Sequence, residues 1–144
     1  MDTSDHELTK VIGDFPEMGH VDNILAMFKQ DPAHYLLTGE LLRDERFMVR
    51  MGVAVLFEEL KVIRPGEVQL AVPALAPLLA DTTPWIRGEA VHLLGIIGGP
   101  EARALIEPML TDPDPQVREI AADFYNQPGN GSSINHFPEP FVKG

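Results

Sequence analysis

Asp81-Thr82-Thr83-Pro84-Trp85-Ile86-Arg87 is the stretch that decides the fold. An aspartate closes an apolar segment, a threonine and a proline open the next, and an arginine falls in the first turn of the helix that follows. The same device occurs on either side. Asp44 stands six residues before Arg50, and Asp112 six before Arg118, just as Asp81 stands six before Arg87. A β-branched residue precedes each arginine (Val49, Ile86, Val117), and an apolar pair lies just ahead of each aspartate (Leu41-Leu42, Leu78-Leu79, Met109-Leu110). The units are offset by 37 and 31 residues. That is the period of helical repeat arrays, whose units cannot bury their apolar faces alone and stack to do so.

Working outward, the unit Ala74 to Gly98 reads Ala-Leu-Ala-Pro-Leu-Leu-Ala-Asp, then Trp-Ile-Arg, then Ala90, Leu93, Leu94 and Gly95. The unit from Ala104 to Tyr125 follows the same plan, and the one from Leu36 to Leu60 is degenerate. This pattern resembles a HEAT repeat, in particular the short bacterial repeats of the phycobilin lyase type. The resemblance implies an all-α, right-handed α-α superhelix of about three repeats. It is specific for fold and says little about function, because one fold hosts many activities.

The chain is expected to divide into an N-terminal cap over residues 1–32, a degenerate repeat over 33–66, repeats over 67–99 and 100–127, and a flexible tail over 128–144. In the cap, Ser4-Asp5-His6-Glu7 fits a capping box ahead of a short helix reaching about Gly13. A second helix carries Val21, Ile24, Leu25 and Phe28 at helical spacing and stops at Asp31-Pro32. The next long helix runs from Glu45 to about Val62 and is stopped by Arg64-Pro65-Gly66, with Val49, Val53, Leu56, Phe57 and Leu60 facing the core. Pro73 and Pro77 predict a bend in the segment after it, since proline inside a helix costs about 3 kcal/mol. Pro108 repeats that bend in the following unit. Thr83-Pro84 and Asp114-Pro115 are matching helix starts, each with a cap oxygen and then proline. Glu101 to Thr111 and Gln116 to Asn126 are the last two helices expected. Pro128-Gly129-Asn130-Gly131-Ser132-Ser133 has the composition of a linker.

With 144 residues and 44% hydrophobic content, one domain with a substantial core is expected. The absence of cysteine excludes disulfides and thiolate metal sites. The acidic N-terminus does not read as a signal peptide, and no apolar run is long enough for a membrane helix. A cytoplasmic protein is expected. The formal charge is −11, with ten acids against three bases in residues 1–45. Such a surface repels phosphate backbones and favours a basic partner, unless the charge serves solubility alone.

Catalytic constellations are sparse. Glu89 and His92 are three apart on one helix, a spacing that could hold a metal. The pair has no second copy, and the alternative is a solvated helix face. Glu58-Glu59 likewise reads as a solvated face. Ser4, Ser132 and Ser133 lack a nucleophile elbow, and Gly95, Gly98 and Gly99 end a helix and open no phosphate loop. Among HEAT proteins, deoxyhypusine hydroxylase places His-Glu pairs after the repeat arginines as iron ligands. The corresponding positions here hold Met51-Gly52, Gly88-Glu89 and Glu119-Ile120, so the resemblance does not bring that activity with it. No metal or cofactor is expected.

Asp44, Asp81 and Asp112 with Arg50, Arg87 and Arg118 are expected to form a structural ladder. Each arginine should bond turn carbonyls or the aspartate of its own or a neighbouring repeat, as HEAT arrays do. In HEAT stacks the second helix of each repeat lines the concave side. That face is expected to present Met48, Met51 and Val55, then Trp85, Glu89 and His92, then Glu119 and Asp123. A surface grading from apolar to acidic would suit another protein with a basic or amphipathic segment. Alternatively, N-terminal helices or a second subunit cover Met48, Met51 and Val55, since exposed apolar patches are uncommon on monomers. The reading is therefore a non-enzymatic interaction module, adaptor or assembly factor that needs neither nucleic acid nor membrane and could form a homo-oligomer. The alternative is a bilin lyase-like enzyme or chromophore chaperone.

Overall fold

Residues 21–126 are described by the structure, a computed structural model, with backbone only for 21–23. The capping box, the first short helix and the tail lie outside the described residues. Those residues form seven α-helices: α1 (Val21–Gln30), α2 (Thr38–Leu42), α3 (Phe47–Ile63), α4 (Val72–Leu75), α5 (Pro84–Ile97), α6 (Gly99–Ile106) and α7 (Pro115–Tyr125). Four 3-10 segments join them, Pro32–Leu37, Glu67–Ala71, Ala76–Ala80 and Glu107–Thr111. No strand occurs among the described residues.

The helices α3, α5 and α7 are the second helices of three successive repeats, and α5 packs against both of the others. The first arm of each repeat is a composite of α and 3-10 turns, and proline is the reason. Pro73, Pro77 and Pro108 all fall at the first or second position of a short segment, where the missing amide forfeits no helical bond. The expected bend thus appears as a change of helix type at Val72 and again at Ala76. For the same reason the helix expected from Glu101 to Thr111 is two segments, α6 and then a 3-10 turn.

Aspartates set where the second helices start. The Asp44 carboxylate accepts the Arg46 amide at 2.9 Å, Asp81 accepts Thr83 N at 2.9 Å, and Asp112 accepts Asp114 N at 2.8 Å. Each closes a local turn two residues long, which delays α3 to Phe47 where Glu45 was expected. Asp31 does the same for Ala33 at 3.1 Å. Of the two expected caps, Asp114 accepts from Gln116 N and Val117 N, whereas the Thr83 side chain makes no capping bond. Asp81 satisfies the turn there instead.

The expected core register holds: Val49, Val53, Leu56, Phe57 and Leu60 are all buried. Phe28 of α1, Tyr35 and Phe57 form a T-shaped aromatic cluster with centroids 5.1–6.2 Å apart, closing the N-terminal side of the stack. At the other side, Phe124 of α7 lies directly on Gly95 of α5, where any Cβ would collide with its ring. Gly98 ends α5 at φ +71°, a conformation that favours glycine.

Candidate functional site: the second-helix face and the inter-repeat ladder

The three repeat arginines share one contact. Arg50 Nη1 donates to the Asp44 carbonyl, Arg87 Nη1 to the Asp81 carbonyl and Arg118 Nη1 to the Asp112 carbonyl, each at 2.8 Å. The six-residue spacing folds the guanidinium back onto the turn that precedes its helix. Beyond that contact the three differ. Arg87 reaches the next repeat and makes a two-pronged pair with the Asp112 carboxylate at 2.8 and 3.0 Å. Arg50 reaches the next repeat too, but its acid is Glu89 at 2.9 Å, and Asp81 is taken by Arg43 at 2.8 Å. Arg118, at the end of the series, donates to the carbonyls of Asp112 and Pro113 and to no carboxylate among the described residues. The first aspartate, Asp44, has its own Arg46 across both carboxylate oxygens.

These contacts fix the charges. The Arg46 hydrogen bond holds the Asp44 carboxyl below its ordinary value. The Thr83 amide does the same for Asp81, followed by Arg43. Burial pushes Asp112 up, but Arg87 and the Asp114 amide more than offset it, and the net shift is downward. Glu89 goes the other way, since burial raises its carboxyl and Arg50 only partly pulls it back.

Arg50 is buried, its guanidinium 4.2 Å from the Trp85 ring centroid and 5.6 Å from that of Phe47. It is therefore held by stacking as well as charge. His92 lies against Phe124 with ring centroids 5.5 Å apart. This arrangement corrects the expected open groove. Trp85, Glu89 and His92 are all buried, because Arg50 from α3 and Phe124 from α7 close over them. Glu119 is exposed and Asp123 half-buried at the far end. At the near end Met48 is 48% exposed, with Met51 and Val55 half-buried. The eight residues thus do not form one continuous surface, and the open apolar part is confined to α3.

Two further corrections concern acids. Glu89 and His92 are not a solvated pair. The Glu89 carboxylate is engaged by a guanidinium, which does not fit it to hold a metal. Among the described residues no group of three or more histidines and acids gathers as a metal site would require. Glu58, read as solvated, is buried at 9% exposure, while its neighbour Glu59 is exposed. Burial raises the Glu58 carboxyl, and Lys61 draws it partly back. A His-Glu dipeptide does occur in the chain, His6-Glu7, away from the repeat arginines and outside the described residues.

Several contacts had a signal in the sequence that went unused. Lys61, in the last turn of α3, donates to the Ile96 carbonyl at 3.1 Å and so neutralises the C-terminal end of α5. Gln69 adds a bond to the Gly98 carbonyl at 3.1 Å. Arg103 caps α7 at the Tyr125 carbonyl, 2.8 Å away, and stacks on that ring at 4.0 Å. Basic residues near helix ends are the general mark of such contacts.

No helix among the described residues is long and apolar enough to cross a membrane. No solved structure matches the chain. Deoxyhypusine hydroxylase of Mus musculus is 45% identical over 51 residues, covering 34% of this chain and 17% of that protein. The chain therefore spans less than a fifth of that relative's length. The family model for HEAT repeats matches residues 37–124, more than half of the chain and all three aspartate–arginine units. The match is to HEAT repeats in general and is not specific to the phycobilin lyase type. This chain belongs to the HEAT-repeat family.

Proposed function

We propose that the protein is a non-enzymatic interaction module, an adaptor or assembly factor whose repeat stack presents α3 to another polypeptide. The observation that supports this most directly is the outward side of α3. Met48 is 48% exposed and Val62 78% exposed, and Met51 and Val55 lie half-buried between them. An outward helix face that meets only water is ordinarily polar. HEAT arrays serve as protein-interaction scaffolds, and the acidic charge of −11 favours a partner with basic residues. The ladder residues are read as structural, because among the described residues their polar contacts go to the repeats themselves.

Affinity purification of the tagged chain from its native cell tests the reading. A polypeptide recovered in stoichiometric amount, and lost with the folded Met51→Glu variant, is the expected result. Recovery of the chain alone at its cellular concentration would reject it.

The similarity to deoxyhypusine hydroxylase favours a second reading, a catalytic role on the same scaffold. Glu89 does not supply a ligand for it in this arrangement, since Arg50 occupies the carboxylate. Hydroxylation of a deoxyhypusine-bearing polypeptide by the purified chain would support this reading. A visible absorbance shift on adding a bilin would support a lyase-like activity instead.

A further inference from the structure

We propose, resting on the interaction-module reading, that the outward stripe of α3 docks an amphipathic helix of a partner protein whose lysine or arginine pairs with Glu58. Met51, Val55, Glu58 and Val62 follow one another at intervals of four, three and four, which places them on one helix face. Met48 extends the row by one turn. From Met48 to Val62 the stripe is about 21 Å long at the usual helical rise, room for roughly four turns of a docked helix. Exposed apolar residues scattered singly would carry no meaning. Leu36 and Leu70 are of that kind, but Met48 and Val62 share one side of α3 with the half-buried Met51 and Val55 between them.

Glu58 supplies the second observation. It is 9% exposed and makes no hydrogen bond or ion pair with any described residue. Lys61, the cation whose charge it senses, commits its ammonium to the Ile96 carbonyl. Although the side chain as a whole is buried, its carboxylate oxygens still reach the surface of the stripe, where a cation can meet them. An ammonium or guanidinium arriving beside the apolar stripe would provide what the chain does not. Glu59, exposed on the flank of the same face, adds a second negative charge.

The same acids argue against a second copy as the occupant. The stripe holds Met48, Met51, Val55, Glu58 and Val62 with Glu59 on its flank, and the adjacent Lys61 commits its ammonium to the Ile96 carbonyl, so two copies meeting face to face would set carboxylates against carboxylates. The methionines suit a helix whose apolar side chains vary in shape.

The test is selection of helical peptides of about 20 residues from a randomised display library, with the full chain as bait. Selected peptides should carry apolar residues at three- and four-residue spacing together with a lysine or arginine. They should bind the Glu58→Gln chain about tenfold more weakly, the loss of one charged contact. Exchanging charges, Glu58→Lys in the chain and glutamate for the base in the peptide, should restore binding. Met48→Glu, at an exposed site, should weaken every selected peptide while circular dichroism and the melting temperature stay unchanged. Selected peptides without a base, undiminished binding to Glu58→Gln, or no enrichment at all would overturn the proposal. So would a dimer in light scattering that Met48→Glu dissociates, since the occupant would then be a second copy. Native-cell purification separates the two levels of the argument. A stoichiometric partner retained by both Glu58→Gln and Met48→Glu sinks the stripe alone, whereas no partner at all sinks the interaction-module reading.

Discussion

Arg87 and Arg118 hold the same place in successive repeats and differ in what lies beyond them. Arg87 bonds a carbonyl of its own turn and both oxygens of a nearly buried carboxylate in the next repeat. Arg118, exposed at the end of the series, bonds carbonyls alone among the described residues. Replacing Arg87 with alanine leaves Asp112 with its charge and without its partner, a loss of about 3 kcal/mol on the scale of broken buried pairs. Arg118→Ala should cost about 1 kcal/mol or less. Urea denaturation of the two variants compares them directly, and equal losses would show that the inter-repeat pair contributes nothing. Acid titration separates the carboxylates by sign. Asp44, Asp81 and Asp112 have lowered values when folded, so their contribution is present above the ordinary value near 3.8 and is lost as the pH falls below it. Glu89 has a raised value, so the folded state holds its proton more tightly, and its contribution declines as the pH rises from about its ordinary 4.5 through the raised value. Glu89→Gln should flatten that upper decline and leave the acid limb in place, as melting temperatures from pH 2 to 8 would show. The six-residue spacing of aspartate and arginine was legible because it repeats three times. The Arg50–Glu89 pair was not, because its acid lies 39 residues away and is matched by Ile120 in the next unit, so no period marks it.

Elements were legible where one local cause controls them and blurred where two compete. Pro84 and Pro115 start α5 and α7 as expected, because nothing opposes proline at a first turn. The first arms of the repeats were harder, since prolines, helix-forming alanines and leucines, and packing all act on the same few residues. Close approach between elements was not legible at all. Gly95 reads as part of a helix end, yet it lies inside α5 and is the seat of Phe124. Gly95→Ala would gain about 1 kcal/mol of helix propensity. It must also displace the ring, an overpacking cost of about 1–3 kcal/mol. A net loss is expected, with weakened docking of α7. Gly66 gives the opposite sign. It has helical backbone angles and nothing within 4 Å of an added Cβ, so Gly66→Ala should stabilise by about 0.5 kcal/mol through the unfolded chain. Thermal melts of the two variants should move in opposite directions. A gain for Gly95→Ala would mean that Phe124 moves aside freely and that the seat does not matter.

Stacked repeats touch only their neighbours, so the stability of the whole molecule is distributed along one dimension. Burial shows how. Twelve of the fourteen residues of α5 are buried, whereas in α7 only Val117, Ile120 and Ala121 are. That contrast explains why a repeat array was readable from sequence while its open face was misplaced. Periodicity reports which side of each helix meets its own partner, and α5, in the middle, is covered on further sides by Arg50 from one neighbour and Phe124 from the other. Residues that line a surface in a terminal repeat are enclosed in the central one. The consequence for dynamics is specific. Amides in the middle of α5 can exchange with solvent only when both neighbouring repeats have opened, so their protection should equal the global unfolding free energy. The last turn of α7, Ala122 to Tyr125, is held by the Gly95 seat and the Arg103 cap and should exchange through local opening at lower free energy. In Gly95→Ala the α7 amides should lose protection further, while those at the centre of α5 follow only the global loss. Native-state hydrogen exchange at increasing urea resolves the two classes. If α7 and α5 amides converged on one isotherm from the lowest denaturant, the stack would be a single cooperative unit and the one-dimensional account would fail.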